Sequence, residues 1–262
     1  MHRSPERAPA IRRARPHTVI HGLIFGAAFA SLCENNCWRM VRDGIYYALA
    51  LALGAVLVSW LTRPTFAAPL YVLAVFCLYF FRDPERLIPA GPVAVSPADG
   101  RIVAVKKTGP SETRISIFLN VFDVHVNRAP IGGAIADVEY RRGRFLIASK
   151  EEASEQNEQN TVTIDGPGTR VVCKQIAGLI ARRIVCTKKP GDQVATGERI
   201  GLIKFGSRVD VLLGPEWQVV VREGERVLAG SSVLARRRDV DGLVAAKAGR
   251  ASPDRMERVW AS

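Results

Sequence analysis

From Gly44 to Leu61 the chain reads GIYYALALALGAVLVSWL, and after Thr62-Arg63-Pro64-Thr65 it resumes from Phe66 to Phe81 as FAAPLYVLAVFCLYFF. Neither run carries a charge. As helices they would each be about 24–27 Å long, slightly short of a hydrocarbon core of about 30 Å that flanking residues can help to span. Arg39 and Arg42 precede the first run, and Arg82 and Arg86 follow the second. The positive-inside tendency therefore puts both ends of a membrane hairpin on the cytoplasmic side. A buried helical hairpin, or two helices lying in the interface, would show similar composition.

Beyond Pro89 the texture changes to short runs of partial alternation separated by Gly, Pro and Asp. Arg101–Lys106, Arg114–Leu119, Thr161–Ile164, Arg170–Lys174, Arg183–Thr187, Arg199–Lys204 and Glu216–Arg222 read as strands. Pro190-Gly191-Asp192 and Thr196-Gly197-Glu198 read as turns. The fold class expected is mainly β: an apolar helical hairpin followed by a compact β-sandwich or barrel. The divisions are a flexible basic extension over 1–39, the membrane-associated hairpin over 40–88, a β-rich domain over 89–235 and a polar tail over 236–262.

A net charge of +12 favours anionic partners, nucleic acid or an acidic membrane surface. No basic helix, zinc-finger spacing or aromatic RNA-binding signature is present, so beside an apolar hairpin the membrane reading is preferred and no nucleic-acid partner is expected. Five cysteines, an odd number without framework spacing, fit reduced thiols in a cytosol-facing protein. Cys33 and Cys37 form a C-x3-C pair that no second pair or nearby histidine completes, so no metal site is expected.

Three segments of the β region could carry chemistry: Ser96-Pro97-Ala98-Asp99-Gly100, Asn120-Val121-Phe122-Asp123-Val124-His125-Val126-Asn127-Arg128, and Phe205-Gly206-Ser207-Arg208-Val209-Asp210. Each has an ordinary reading alone. Asp99-Gly100 is a good turn pair, His125 alternates with Val124 and Val126 as on a strand face, and no G-x-S-x-G elbow surrounds Ser207. His125 is, however, the one histidine of four that lies beyond the N-terminal extension. Chemistry that needs an imidazole in the folded domain must use it.

Taken in order, these segments resemble the short bacterial and archaeal type of phosphatidylserine decarboxylase over about residues 40–235. The likeness includes Phe81-Arg82-Asp83-Pro84-Glu85-Arg86 after the hairpin and the Ser-Pro-Ala-Asp-Gly segment. It continues through Phe122–Arg128, Asn157-Glu158 and Gly201-Leu202-Ile203, and ends on Phe205–Asp210. The resemblance implies a proenzyme that cuts its own backbone, here between Gly206 and Ser207. Ser207 Oγ would attack the Gly206 carbonyl, and the ester so formed would eliminate and hydrolyse to leave residue 207 as a pyruvoyl group. His125 and Asp99 match the family's positions for the base and its orienting carboxylate, as for any activated serine. A glycine before the serine permits close attack and an unusual backbone angle.

In the mature enzyme, the implied pyruvoyl cofactor would serve as electron sink while the serine head group loses carbon dioxide, giving phosphatidylethanolamine. Arg128 and Arg208 are the nearest candidates by sequence for the substrate's phosphate and carboxylate. Two departures stand out: longer relatives have two histidines where this chain has His125 and Arg128, and Gln159 replaces an expected arginine after Asn157-Glu158. The implied partners are an anionic phospholipid and the membrane surface. Fragments 1–206 and 207–262 would remain associated, with a homodimer as the default assembly. A serine-headed ether lipid would present the same head group. Pro190–Ile203 also resembles lipoyl-type carrier barrels and efflux-pump adaptors, an alternative that gives no reason for Asp99, His125 and Gly206-Ser207 to occur together.

Overall fold

The computed structural model describes residues 38–148, 151–179, 183–204 and 206–238. The basic extension and the polar tail expected from the sequence therefore fall almost wholly outside the described residues, as does Phe205.

Two apolar helices occupy the region of the expected hairpin. Helix α1 spans Arg42–Leu61, and α2 spans Pro64–Phe80. Pro64 opens α2 at a position where its missing N–H costs nothing, and Thr62 Oγ1 closes α1 by donating to the Val58 carbonyl (2.7 Å). The helices meet through small side chains: Ala48 and Ala55 of α1, and Ala67, Ala74 and Cys77 of α2, are buried. Large apolar side chains point outward instead, with Leu53 71% and Trp60 80% exposed on α1 and Val72 70% exposed on α2. Among the described residues, α1 is long and apolar enough to cross a membrane; α2, at 17 residues, is shorter.

The β region is built from β1 (Arg82–Pro84), β2 (Val93–Val95), β3 (Gly100–Lys107), β4 (Thr113–Leu119), β5 (Val126–Arg128) and β6 (Gly133–Arg141). A short helix, α3 (Ala153–Gln156), precedes β7 (Gln159–Gly166), β8 (Thr169–Ile176), β9 (Arg183–Cys186), β10 (Gln193–Val194) and β11 (Arg199–Lys204). The chain continues through β12 (Ser207–Leu213), β13 (Trp217–Val219), β14 (Arg226–Val227) and β15 (Val233–Arg237). The main sheet runs β10-β6-β7-β8-β12-β4-β3-β14, every described pairing in it antiparallel, and curls into a half-barrel. Two three-stranded sheets, β9-β11-β5 and β13-β15-β2, contribute to the same core. Alternation explains the arrangement: Ile115, Ile117 and Leu119 of β4 and Val209, Val211 and Leu213 of β12 all enter that core. Burying each such side chain contributes roughly 1.5–3 kcal/mol.

Strand β12 is buried along its whole length and lies between β4 and β8. Its outward residues, Arg208 and Asp210, are covered near α3, where Ser154 Oγ donates to Asp210 Oδ2 (2.7 Å). The mainly β class and the hairpin are as expected. Strand β6 escaped the sequence reading because its outward face is charged and exposed, and β15 carries the folded region two residues past the expected boundary at 235.

Ion pairs tie the segment after the hairpin to the β region. Asp83 receives Arg128 Nη2 (2.9 Å) and Arg199 Nε, Glu85 receives Arg199 Nη2 (3.0 Å), and Arg86 Nη2 reaches Asp99 Oδ2 (2.7 Å). Arg128 is 4% exposed and also donates to the Pro84 and Gly197 carbonyls (both 3.1 Å). Removing one partner of such a buried pair strands the other charge. Arg128→Ala is therefore expected to lower stability by about 3 kcal/mol. Denaturant titration of the detergent-purified protein by tryptophan fluorescence checks this, and an unchanged midpoint would refute the structural assignment.

Candidate active site

The chain leaves β11 at Lys204 and enters β12 at Ser207, with Gly206 at φ +57° between them. That left-handed angle, not crowding, is what favours glycine here, since a Cβ would have open space around it. Ser207 pairs with Leu119 and projects into the half-barrel, fully buried. Its Oγ has no hydrogen-bond partner among the described residues.

His125 stands over the adjoining peptide. Its Nδ1 lies 2.9 Å from the Asp123 carbonyl oxygen, which can only accept, so Nδ1 carries the proton. Nε2 is left with its lone pair and accepts the Gly206 N–H at 3.2 Å. The last residue of α2, Phe80, covers the imidazole with ring centroids 4.4 Å apart and planes tilted by 32°. His125 is consequently 2% exposed. Burial pushes its pKa down to about 4; the Arg82 charge acts in the same direction, and Asp123 opposes through its backbone carbonyl and its carboxylate. The ring is neutral at physiological pH, with its lone pair held on the Gly206 N–H, one residue before Ser207.

Asp99 occupies a different position from the one the serine-triad analogy suggests. Its Oδ2 receives Arg86, and its Oδ1 receives the Ala229 N–H (2.8 Å). The imidazole Nδ1–H donates to the Asp123 carbonyl rather than to Asp99. Burial raises the Asp99 pKa and the Asp123 carboxylate adds to that, while the Ala229 N–H and Arg86 pull it down. The turn before β3 holds it: Ser96 Oγ donates to the Ala98 carbonyl (2.7 Å), and Gly100 passes so close to β4 that a Cβ would fall 2.2 Å from the Phe118 carbonyl oxygen.

The two arginines singled out as anion contacts are both buried within internal pairs. Arg128 belongs to the Asp83 network, and Arg208, 1% exposed, donates to Asp210 Oδ1 (2.8 Å) and Ser116 Oγ (2.6 Å). Arg82 lies closer to the imidazole's electrostatic field, donating to the Tyr79 (2.8 Å) and Phe122 (2.7 Å) carbonyls. Arg226 pairs with Asp123, and its side chain is 70% exposed.

Two residues that the sequence reading passed over shape the site from outside the main motifs. Phe80 looked like one more apolar hairpin residue. Gly178 faces the Gly206 carbonyl: a Cβ there would lie 2.3 Å from that oxygen. Asn157 secures this loop by accepting from Leu146 N (2.8 Å) and donating to the Leu146 (2.9 Å) and Ala177 (2.8 Å) carbonyls. Beside Gly206 lies an apolar hollow of about 300 Å³ lined by Phe118, Ile147, Ala148 and Leu179. Among the described residues no cluster of His, Cys, Asp or Glu could hold a metal ion.

A glycine-serine peptide with a buried, unpartnered hydroxyl and a neutral imidazole nearby has the groups that nucleophilic acyl chemistry requires. The family model for phosphatidylserine decarboxylase matches residues 73–235. A phosphatidylserine decarboxylase proenzyme of Solibacter usitatus (strain Ellin6076) is 68% identical over 201 residues, covering 77% of this chain and 98% of that protein. The chain belongs to the phosphatidylserine decarboxylase family.

Phe80→Ala should readmit water to the imidazole and move the His125 titration midpoint up from about 4 toward the ordinary histidine value. An NMR titration of the imidazole signals, with His125 assigned by its loss in His125→Gln, reads this directly; an unmoved midpoint would exclude Phe80 as the desolvating group. Gly178→Val should displace the Gly206 carbonyl, with intact mass recording at least a tenfold change in any cutting at Gly206–Ser207. Unaltered cutting would show that this close approach is dispensable.

Proposed function

We propose that this enzyme cuts its own chain between Gly206 and Ser207 and then decarboxylates phosphatidylserine to phosphatidylethanolamine at a membrane surface. The observation that carries the reading is the Gly206 N–H held on His125 Nε2 while the neighbouring Ser207 Oγ stays buried without a partner. A serine held in this way fits the precursor of a pyruvoyl group.

Ser207 Oγ attacks the Gly206 carbonyl carbon as His125 Nε2, turning from the Gly206 N–H, accepts the hydroxyl proton. Collapse breaks the Gly206–Ser207 C–N bond, and the nitrogen regains a proton, leaving an ester between Gly206 and the serine oxygen. Loss of the Cα proton then breaks Cβ–Oγ and releases Gly206 as a carboxylate. The resulting dehydroalanine tautomerises, and water replaces its nitrogen, which leaves as ammonia. The pyruvoyl group would supply an electron sink for decarboxylation of a substrate bearing a primary amine.

The protein's remaining groups support binding and placement. Because α2 ends in contact with the imidazole, the site lies where the hairpin emerges. A diacyl substrate leaves a bilayer reluctantly, at about 0.8 kcal/mol per buried CH2, so a site at the foot of an inserted hairpin meets the head group in place. The flanking arginines favour the cytoplasmic face. Arg82 and Arg226 provide cationic character on the His125 side, and Arg128 or Arg208 would have to leave a carboxylate before contacting an anion. Asp99 joins the proposed machinery as a buried carboxylate now balanced by Arg86. The C-terminal fragment would stay bound because β12 is paired along both edges.

Intact-mass spectrometry of the purified protein should find one fragment ending at Gly206 and another whose N-terminus is a pyruvoyl-blocked residue 207. Ser207→Ala should remain a single inactive chain, and normal cutting of that variant would refute the proposal. Cutting requires neutral His125, so its rate should hold from neutral pH down to about pH 5 and fall as pH drops through about 4. A fall centred near 6.5 would mean that the working imidazole is solvated.

A further inference from the structure

Inside the half-barrel, in a core otherwise built of Ile, Val and Leu, three amide side chains form a relay. Asn160 Nδ2 donates to Gln175 Oε1 (3.0 Å), and Gln175 Nε2 donates to Asn127 Oδ1 (2.8 Å). All three residues are buried, with Asn127 and Gln175 at 0% exposure. Because each donor in this chain points toward Asn127, the relay ends on the Asn127 Nδ2 group, which has no acceptor. Buried polar groups are ordinarily satisfied, and an orphaned donor in a packed interior asks for an explanation.

The strand register shows where the orphan lies. Val209 pairs with Gln175 on β8 and with Ile117 on β4, while Ser207 pairs with Leu119, so Ser207, Val209 and Gln175 project to the same concave side. Gln175 and Ser207 are thus diagonal neighbours across β8 and β12, at a separation that long side chains bridge. Asn127 belongs to β5, in the sheet that packs over this side, and meets Gln175 there. The second orphan of this interior is Ser207 Oγ itself. Ser207, and Asn127 through its bond to Gln175, thus both belong to the concave side, one with a buried oxygen able to accept and one with a buried hydrogen to give.

We propose that Asn127 Nδ2 is the hydrogen-bond donor to Ser207 Oγ during self-cleavage, with Gln175 and Asn160 as the positioning residues that aim it. This rests on the self-cleavage reading above. Charge collects on that oxygen twice. It rises first as His125 Nε2 takes the hydroxyl proton and Oγ adds to the Gly206 carbon. It rises again when Cβ–Oγ breaks and the same oxygen departs as part of the Gly206 carboxylate. A preorganised amide donor in a dry interior stabilises both. Its orientation is set before the reaction, since Asn127 Oδ1 is held by Gln175 and the amide plane cannot flip without breaking that bond.

The double variant Asn127→Leu/Gln175→Leu removes the donor and its aiming group together, and leaves Asn160 Nδ2 without its acceptor. Intact-mass time courses on freshly made chain should show wild-type protein cutting and the double variant cutting about 100-fold more slowly, with a melting temperature lowered by no more than the loss of that one hydrogen bond. Polar residues retained only for structure would give the reverse, a larger fall in melting temperature with normal cutting. Hydroxylamine, which cleaves esters, separates the steps: ester trapped in the variant but not in wild type places the loss at elimination, as the proposal allows, and its absence places it at attack. If the double variant does not fold, Gln175→Glu decides. It keeps the shape but turns the Asn127 amide toward the new carboxylate, and it too should slow cutting. Wild-type cutting in a folded variant of either kind overturns the assignment of Asn127. Failure of the wild-type chain to cut overturns the self-cleavage reading instead.

Discussion

The structure turns on one neutral imidazole held between a helix end and a glycine amide. A histidine in water spends part of its time protonated near neutrality, and His125 is relieved of that by Phe80 on one face and by the β region around the rest. The Asp123 carbonyl then selects the tautomer, so the lone pair meets the Gly206 N–H, next to Ser207, without a carboxylate to direct it. A backbone carbonyl is a weaker electrostatic partner than a buried carboxylate. It fixes the ring's geometry without raising its pKa far, and base strength is thereby traded for availability over a wide pH range.

That arrangement makes the hairpin part of the site. Phe80 and Phe81 pack with Leu202 of β11, Gly44 approaches Phe81 so closely that a Cβ would lie 2.3 Å from the Phe81 Cβ, and Lys204 Nζ reaches Asp43 Oδ2 at 2.8 Å. Lys204 is the last residue of the strand that leads into the turn before Ser207. A displacement of the helices would therefore pull on the turn and uncover the imidazole together. The Asp83 pairs with Arg128 and Arg199 serve the same end by pinning the segment between hairpin and half-barrel.

Much of this was legible in the sequence because composition and alternation report burial. The apolar runs over 44–61 and 66–81 correspond to helices, and the strands read from partial alternation all have counterparts in the fold, since Ile115, Ile117 and Leu119 can only face one side. The family's ordered motifs drew attention to His125 and Ser207 before any distance was available. What could not be read were relations between residues far apart in the chain. Nothing in Ala177-Gly178-Leu179 shows that the glycine faces the Gly206 carbonyl, and nothing in Tyr79-Phe80-Phe81 distinguishes the ring that covers His125. Arginines 128 and 208 invited an anion-binding role because a charge beside a motif looks available, whereas their carboxylate partners, Asp83 and Asp210, are identified only by the folded geometry.

The position of the proposed cut also explains how a domain can tolerate losing a peptide bond at its centre. Gly206 lies in the left-handed region just outside the ladder, and Ser207 is the first residue of β12 to pair with β4. Breaking the bond between them removes no described rung of the sheet: the pairs from Ser207 to Leu213 with β4 and from Arg208 to Leu213 with β8 remain. The loss is chain connectivity, an entropic term, while the apolar burial of Val209, Val211 and Leu213 is untouched. One residue further on, a cut would fall within the paired strand and free its first rung. One residue earlier, it would spare the ladder but leave Ser207 without the new terminus that the chemistry requires. The boundary between turn and strand is thus the place where the fold keeps its sheet and a buried serine can still become a chain end.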